Sequence, residues 1–182
     1  SLYLPNIRDG RYVTPWFERP DRGFGTVLRW RFFSKKENTY TDEESSFLPP
    51  VLPDAAKRMA AAADRDYILW IGHNSFAVKI GGTIYLTDPM FSDRAFLPKR
   101  KTPPAVTAEE IAALGTELVV IISHNHYDHL DEESIRSLPL RTRYVVPPGV
   151  GDLVREFGGE NVVELDWWAE TQPAPGTRLV SL

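Results

Sequence analysis

Five apolar residues, Leu118-Val119-Val120-Ile121-Ile122, run without a break into Ser123-His124-Asn125-His126-Tyr127-Asp128-His129-Leu130-Asp131, and no other stretch constrains the fold as tightly. A short apolar run of this kind reads as a buried strand. The polar segment after it holds three of the four histidines of the chain and two carboxylates besides. A strand entering a tight loop can fan His124 and His126 toward one ion while Asp128 and His129 turn toward a neighbouring position. Imidazole nitrogen and carboxylate oxygen suit zinc and related first-row ions. The chain has no cysteine, so any ion is held without thiolate and there is no disulfide framework.

The pattern His124-x-His126-x-Asp128-His129 after an apolar strand resembles the metal-binding signature of the metallo-β-lactamase fold, an αββα sandwich. The longer string Ile122 to Asp131 is similar to the branch containing N-acylphosphatidylethanolamine-hydrolysing phospholipase D and its bacterial relatives. Trp70-Ile71-Gly72-His73, Leu86-Thr87-Asp88-Pro89, Glu164-Leu165-Asp166-Trp167-Trp168 and the lead-in Pro15-Trp16 with Val27-Leu28-Arg29-Trp30 carry the same resemblance. It runs from about Tyr12 to the last residue and implies an α/β chain that forms the N-terminal half of the sandwich.

The resemblance implies two zinc ions, one on His124 and His126, the other on Asp128 and His129. It also implies a hydroxide between the ions as nucleophile, with Asp128 as the catalytic residue that helps orient it. Asp88 is placed beneath the histidine loop, where a carboxylate can fix a ligating imidazole, and His73 either supports the ligands or meets the substrate. The implied reaction is phosphodiester cleavage of an N-acylated phosphatidylethanolamine. A lactonase of the same fold is the alternative, and a noncatalytic half-domain binding one ion weakly is a third reading. The third histidine and bridging carboxylate of the family pattern are expected after Leu182, so a fragment completed by another segment, or a homo-oligomer, is expected.

At 182 residues with a net charge of −4, the chain suits one domain and argues against a general nucleic-acid binder. No signal peptide and no apolar run near the roughly 20 residues needed to cross a bilayer are visible, and Ser1 in place of Met suggests trimming. The expected location is cytoplasmic or peripheral to a membrane.

Residues 1–66 read as an extended arm with a short helix, and 67–182 as the sandwich half. Trp16, Phe17, Trp30, Phe32 and Phe33 anchor the arm, either against the domain or, with Arg22, Arg29, Arg31, Lys35 and Lys36, at lipid headgroups. Glu43 and Glu44 read as solvated linker, and Asp54 as the cap of a helix to Ala63. Tyr67 to Ile71, Ser75 to Ile80 and Thr83 to Thr87 form a meander turning at Gly81-Gly82. Arg94 and Arg100 are candidates for a substrate phosphate. Thr107 to Glu110 is a capping box for a helix that Gly115 closes. Beyond the histidine loop, helices at Asp131 to Leu138 and Val150 to Phe157 alternate with strands at Arg143 to Val146 and Val162 to Leu165, and Thr177 opens one more strand.

Overall fold

The computed structural model describes residues 6–14, 16, 23–33, 40–95, 97 and 99–181. Contacts divide the chain into two units, Ser1–Phe47 and Leu48–Leu182.

The first unit holds a hairpin and two helices among its described residues. Strands β1 (Ile7–Arg8) and β2 (Arg11–Tyr12) form a hairpin, turning at Asp9 and Gly10 with φ of 51° and 71°, the left-handed pair such tight turns require. Helix α1 (Phe24–Phe33) follows, with Phe24, Trp30, Phe32 and Phe33 exposed. The expected linker is instead helix α2 (Asp42–Ser46). Thr41 accepts from the Glu44 amide while the Glu44 carboxylate accepts from the Thr41 amide, so two orphan donors are satisfied reciprocally. Pro15, Phe17, Arg22, Lys35 and Lys36 lie outside the described residues.

In the second unit, helix α3 (Ala55–Ala61) buries Ala55 and Met59 in the main core. Its expected cap does not form. Asp54 sits at φ 54° with no cap bond, and its carboxylate pairs with Lys57 at 2.8 Å instead. At the other end the buried Lys79 ammonium donates to the Ala63 and Arg65 carbonyls at 2.8 and 3.3 Å, a cation where the helix dipole favours one.

One six-stranded sheet, in order β3-β4-β5-β6-β7-β8, organises the rest. β3 (Tyr67–Gly72), β4 (Ser75–Ile80) and β5 (Thr83–Thr87) run antiparallel. β6 (Glu117–Ile121), β7 (Arg143–Val146) and β8 (Asn161–Glu164) continue in parallel, each crossover carrying a helix: α4 (Ala108–Ala113), α5 (Glu132–Ser137) and α6 (Gly151–Glu156). The Thr107 and Glu110 capping box starts α4 as expected. No side-chain cap starts α6. The Glu164 carboxylate at the end of β8 does that job from a neighbouring strand, accepting from the Gly149 and Gly151 amides at 3.1 and 2.8 Å.

The apolar run of β6 is explained by burial on both faces. Leu118, Val120 and Ile122 join the core under the helices, with Ile111, Ile135 and Val154. Val119 and Ile121 point the other way, toward Tyr85, Val145, Ala174 and Leu179, as the two-residue period of a strand dictates. The second cluster is closed by a hairpin of β9 (Glu170–Ala174) and β10 (Thr177–Val180), pinned by the Tyr85 hydroxyl donating to Thr177 Oγ1 at 2.8 Å. Strand β9, with Pro173 and polar Glu170 and Gln172, carries no strand pattern and was not foreseen.

Candidate metal centre

The site forms where the meander's last strand and the central parallel strand end side by side. Thr87 pairs with Ile121 across β5 and β6, so the next residue, Asp88, falls beside Ile122 and Ser123, its amide donating to the Ile121 carbonyl at 2.9 Å. Asp88 is buried and sits at φ 39°, a conformation that costs free energy and persists only where its surroundings hold it. Those surroundings are explicit. Oδ1 accepts from the Ser123 amide at 2.7 Å, and Oδ2 accepts from the Ser123 hydroxyl at 2.8 Å and from His129 Nδ1 at 2.9 Å.

This network assigns protons. An ionised carboxylate only accepts, so Ser123 Oγ–H and His129 Nδ1–H both donate to Asp88. The Ser123 oxygen, 2.9 Å from His124 Nδ1, is then left to accept from it. His124 and His129 are thereby fixed as tautomers that carry their lone pair on Nε2. His124 Nε2 lies 3.0 Å from His126 Nδ1. Ligands at 2.0–2.1 Å around a tetrahedral zinc are separated by roughly 3.3 Å, so this pair has the spacing of two donors to one ion.

Beside it, His73 Nε2, a carboxylate oxygen of Asp128 and a ring nitrogen of His129 form a second group, all ligand atoms within 4.8 Å of one another. His73 Nε2 and Asp128 Oδ2 are 3.0 Å apart. The two groups adjoin, the His124 and His129 rings being 4.0 Å apart between centroids. Imidazole nitrogens, a carboxylate, and a buried acceptor behind one ligand make a donor set that fits divalent first-row ions.

Electrostatics support the same protonation. Burial, followed by the neighbouring His129 and His126 rings, holds His124 below its ordinary value against the pull of Asp88 and Asp128. Burial alone would raise Asp128, but the hydrogen bond from His73, one from its own backbone and the charges of His129 and His73 outweigh it, and the carboxyl lies below its ordinary range.

His73 reaches the site from the turn between β3 and β4. Gly72 at φ 134° and His73 at φ 52° bend the chain sharply, and the Trp70 indole N–H donates to the His73 carbonyl at 2.9 Å. Asn74, next in the turn, places Nδ2 at 3.1 Å from His129 Nε2 and 3.3 Å from His73 Nε2. Ser123 and Trp70 stand in the sequence motifs without an assigned role, and Asn74 lies just outside them. The polar His-Asn pair in a turn was the available signal for Asn74. The loop arginines are turned to internal use, Arg94 donating to the Leu97 carbonyl at 3.0 Å and Arg100 to the Met90 carbonyl at 3.1 Å.

Residues 83–181, more than half of the chain, match the family model described as Beta-lactamase superfamily domain. The chain belongs to the beta-lactamase superfamily. An uncharacterized protein of Mycobacterium tuberculosis is 33% identical over 179 residues, covering 92% of this chain and 46% of that protein. N-acyl-phosphatidylethanolamine-hydrolyzing phospholipase D 1 of Caenorhabditis elegans is 32% identical over 114 residues, covering 56% of this chain and 31% of the nematode enzyme. The crystal structure of a possible metal-dependent hydrolase from Veillonella parvula superposes with a TM-score of 0.48 at 18% identity, covering 59% of this chain and 44% of that one. The chain thus spans less than half the length of each of these proteins.

Proposed function

We propose that the chain is part of a metal-dependent hydrolase, with His124 and His126 holding one zinc or similar ion, Asp128 and His129 a second, and phosphodiesters of the N-acylphosphatidylethanolamine type as substrate. The observation that carries this reading is the adjoining pair of donor groups at the carboxyl end of β6, fixed from below by Asp88. The similarity to the nematode phospholipase D supports the choice of substrate class.

Bound there, the ions would acidify water and offset charge on the substrate's oxygens. The chain's own residues do the rest. Asp88 accepts a hydrogen bond from His129 Nδ1–H and so fixes the ring. Ser123 relays that constraint to His124. Asp128 stays ionised and accepts a hydrogen bond from the attacking water, which aligns it. The exposed Phe24, Trp30, Phe32 and Phe33 of α1, with Arg29 among them, support contact with a lipid surface, where aromatic rings settle at headgroup level.

The test is metal content together with turnover of an N-acylphosphatidylethanolamine and of a simple lactone by the full-length protein. Two ions per chain and phosphodiester turnover that is lost to chelator and restored by zinc are expected. Lactone turnover without phosphodiester turnover would sink the substrate assignment.

A further inference from the structure

We propose that Asn74 is a catalytic residue of this centre, its carboxamide donating a hydrogen bond to the substrate oxygen on which negative charge develops. The inference rests on the hydrolase reading above and adds a residue to it. Asn74 belongs to none of the motifs that carry the family resemblance, and the turn that holds it is remote in sequence from the histidine loop.

The argument begins with what the amide touches. Its Nδ2 lies 3.1 Å from His129 Nε2 and 3.3 Å from His73 Nε2, the outward-facing nitrogens of the second donor group. A carboxamide has two N–H donors on one atom. Of the two nitrogens, His129 Nε2 is the acceptor, because that ring carries its hydrogen on Nδ1, where it donates to Asp88. His73 Nε2 is also engaged with the Asp128 carboxylate at 3.0 Å.

Were an ion held at His129 Nε2, that lone pair would no longer be open to the Asn74 amide, and the amide hydrogen facing it would be left without its acceptor. Asn74 Nδ2 is only 3.1 Å from His129 Nε2, so the amide would lie beside whatever that nitrogen held. The group best matched to the freed donor is an oxygen drawn to the same ion. In a phosphodiester that oxygen is the non-bridging one that gains charge as water attacks. Donors aimed at developing charge in a site of this kind supply large rate factors.

The backbone holds Asn74 to this place. Gly72 and His73 both adopt positive φ, Trp70 fixes the His73 carbonyl, and the Asn74 carbonyl accepts from Thr87 Oγ1 at 3.3 Å. The Thr87 strand leads directly to Asp88, so the donor and the ligand-fixing carboxylate share one support.

The experiment compares Asn74→Ala and Asn74→Ser with the full-length wild type for metal content, for affinity toward inorganic phosphate by calorimetry, and for kcat and KM on a phosphodiester. Asn74→Ala is expected to keep its ions, bind phosphate at least about tenfold more weakly and lose kcat on the order of 10²-fold, with KM moving less. Asn74→Ser, which keeps a donor, should recover part of both losses. Unchanged phosphate affinity and kcat at full metal content would overturn this inference alone, as would a loss of metal that accounts for the loss of activity. A wild type that holds no ions would overturn the hydrolase reading and this inference with it.

Discussion

Two turns meet at the metal centre, and they are built on opposite principles. The loop after β6 is fixed from within. Asp88 binds its first residue twice and one of its histidines once, His129 and Leu130 donate backbone bonds to the His126 carbonyl at 2.9 and 2.8 Å, and Asp131 closes it as the cap of α5. The turn after β3 is held by conformation and by a few outside contacts. Its residues are exposed or half-buried, and it depends on two positive φ angles and one indole hydrogen bond. The difference separates a loop of candidate ligands held by a hydrogen-bonded network from a turn held mainly by its own backbone conformation.

Removal of a ligand from the fixed loop should have the largest effect. His129→Ala is expected to abolish binding at the second position and reduce turnover to background, read by metal analysis of the purified protein; full retention of two ions would show that the loop is not the ligand source. Asp88→Asn comes next. It leaves every ligand in place but removes the charge that orients His129, and a fall in metal affinity of roughly 10- to 100-fold is expected in chelator competition. An effect no greater than that of a surface substitution would mean that the network only stabilises the fold.

On the other turn the effects should fall on stability more than on metal. Gly72→Ala places a side chain at φ 134° and brings a Cβ to 2.8 Å from Arg100 Nη2. A loss of about 1–3 kcal/mol is expected in denaturant unfolding, and an unaffected midpoint would argue that the turn relaxes freely. Trp70→Phe is the mildest, removing one hydrogen bond worth about 1 kcal/mol. If it lowers metal affinity as much as Asp88→Asn does, the contrast between the two turns collapses.

The Tyr144 hydroxyl, sunk in the core beneath the helices, is pushed by burial up to about 12. Because the unfolded chain ionises this group near 10 and the folded one does not, stability should decline as pH rises through the window from about 10 to about 12. Tyr144→Phe should flatten that part of the profile.

Much of the centre was legible before folding because its signals are local. The apolar run of β6 had to be covered on both faces, and the ligands clustered next to it lie within a few residues of one another. The meander, the capping box of α4 and the alternation of strand and helix were readable for the same reason, each resting on a period or a cap only a few residues long. Asp54 misled because a favourable capping residue was drawn into a left-handed conformation and an ion pair with Lys57. Glu43 and Glu44 misled in the other direction, their capping box with Thr41 being hidden among polar neighbours. Strand β9 has no pattern of its own and exists because its hairpin covers Tyr85, Val119 and Val145.

The sequence by itself determined that a strand would end in a cluster of histidines and carboxylates, since residue type and spacing are properties of one segment. Only the tertiary structure decided which distant groups face that cluster. Parallel pairing of β5 with β6 sets Asp88 under Ser123, and the bend at Gly72 turns His73 and Asn74 toward His129, because strand register and the sign of φ bring together atoms that the chain order keeps 35 and 55 positions apart.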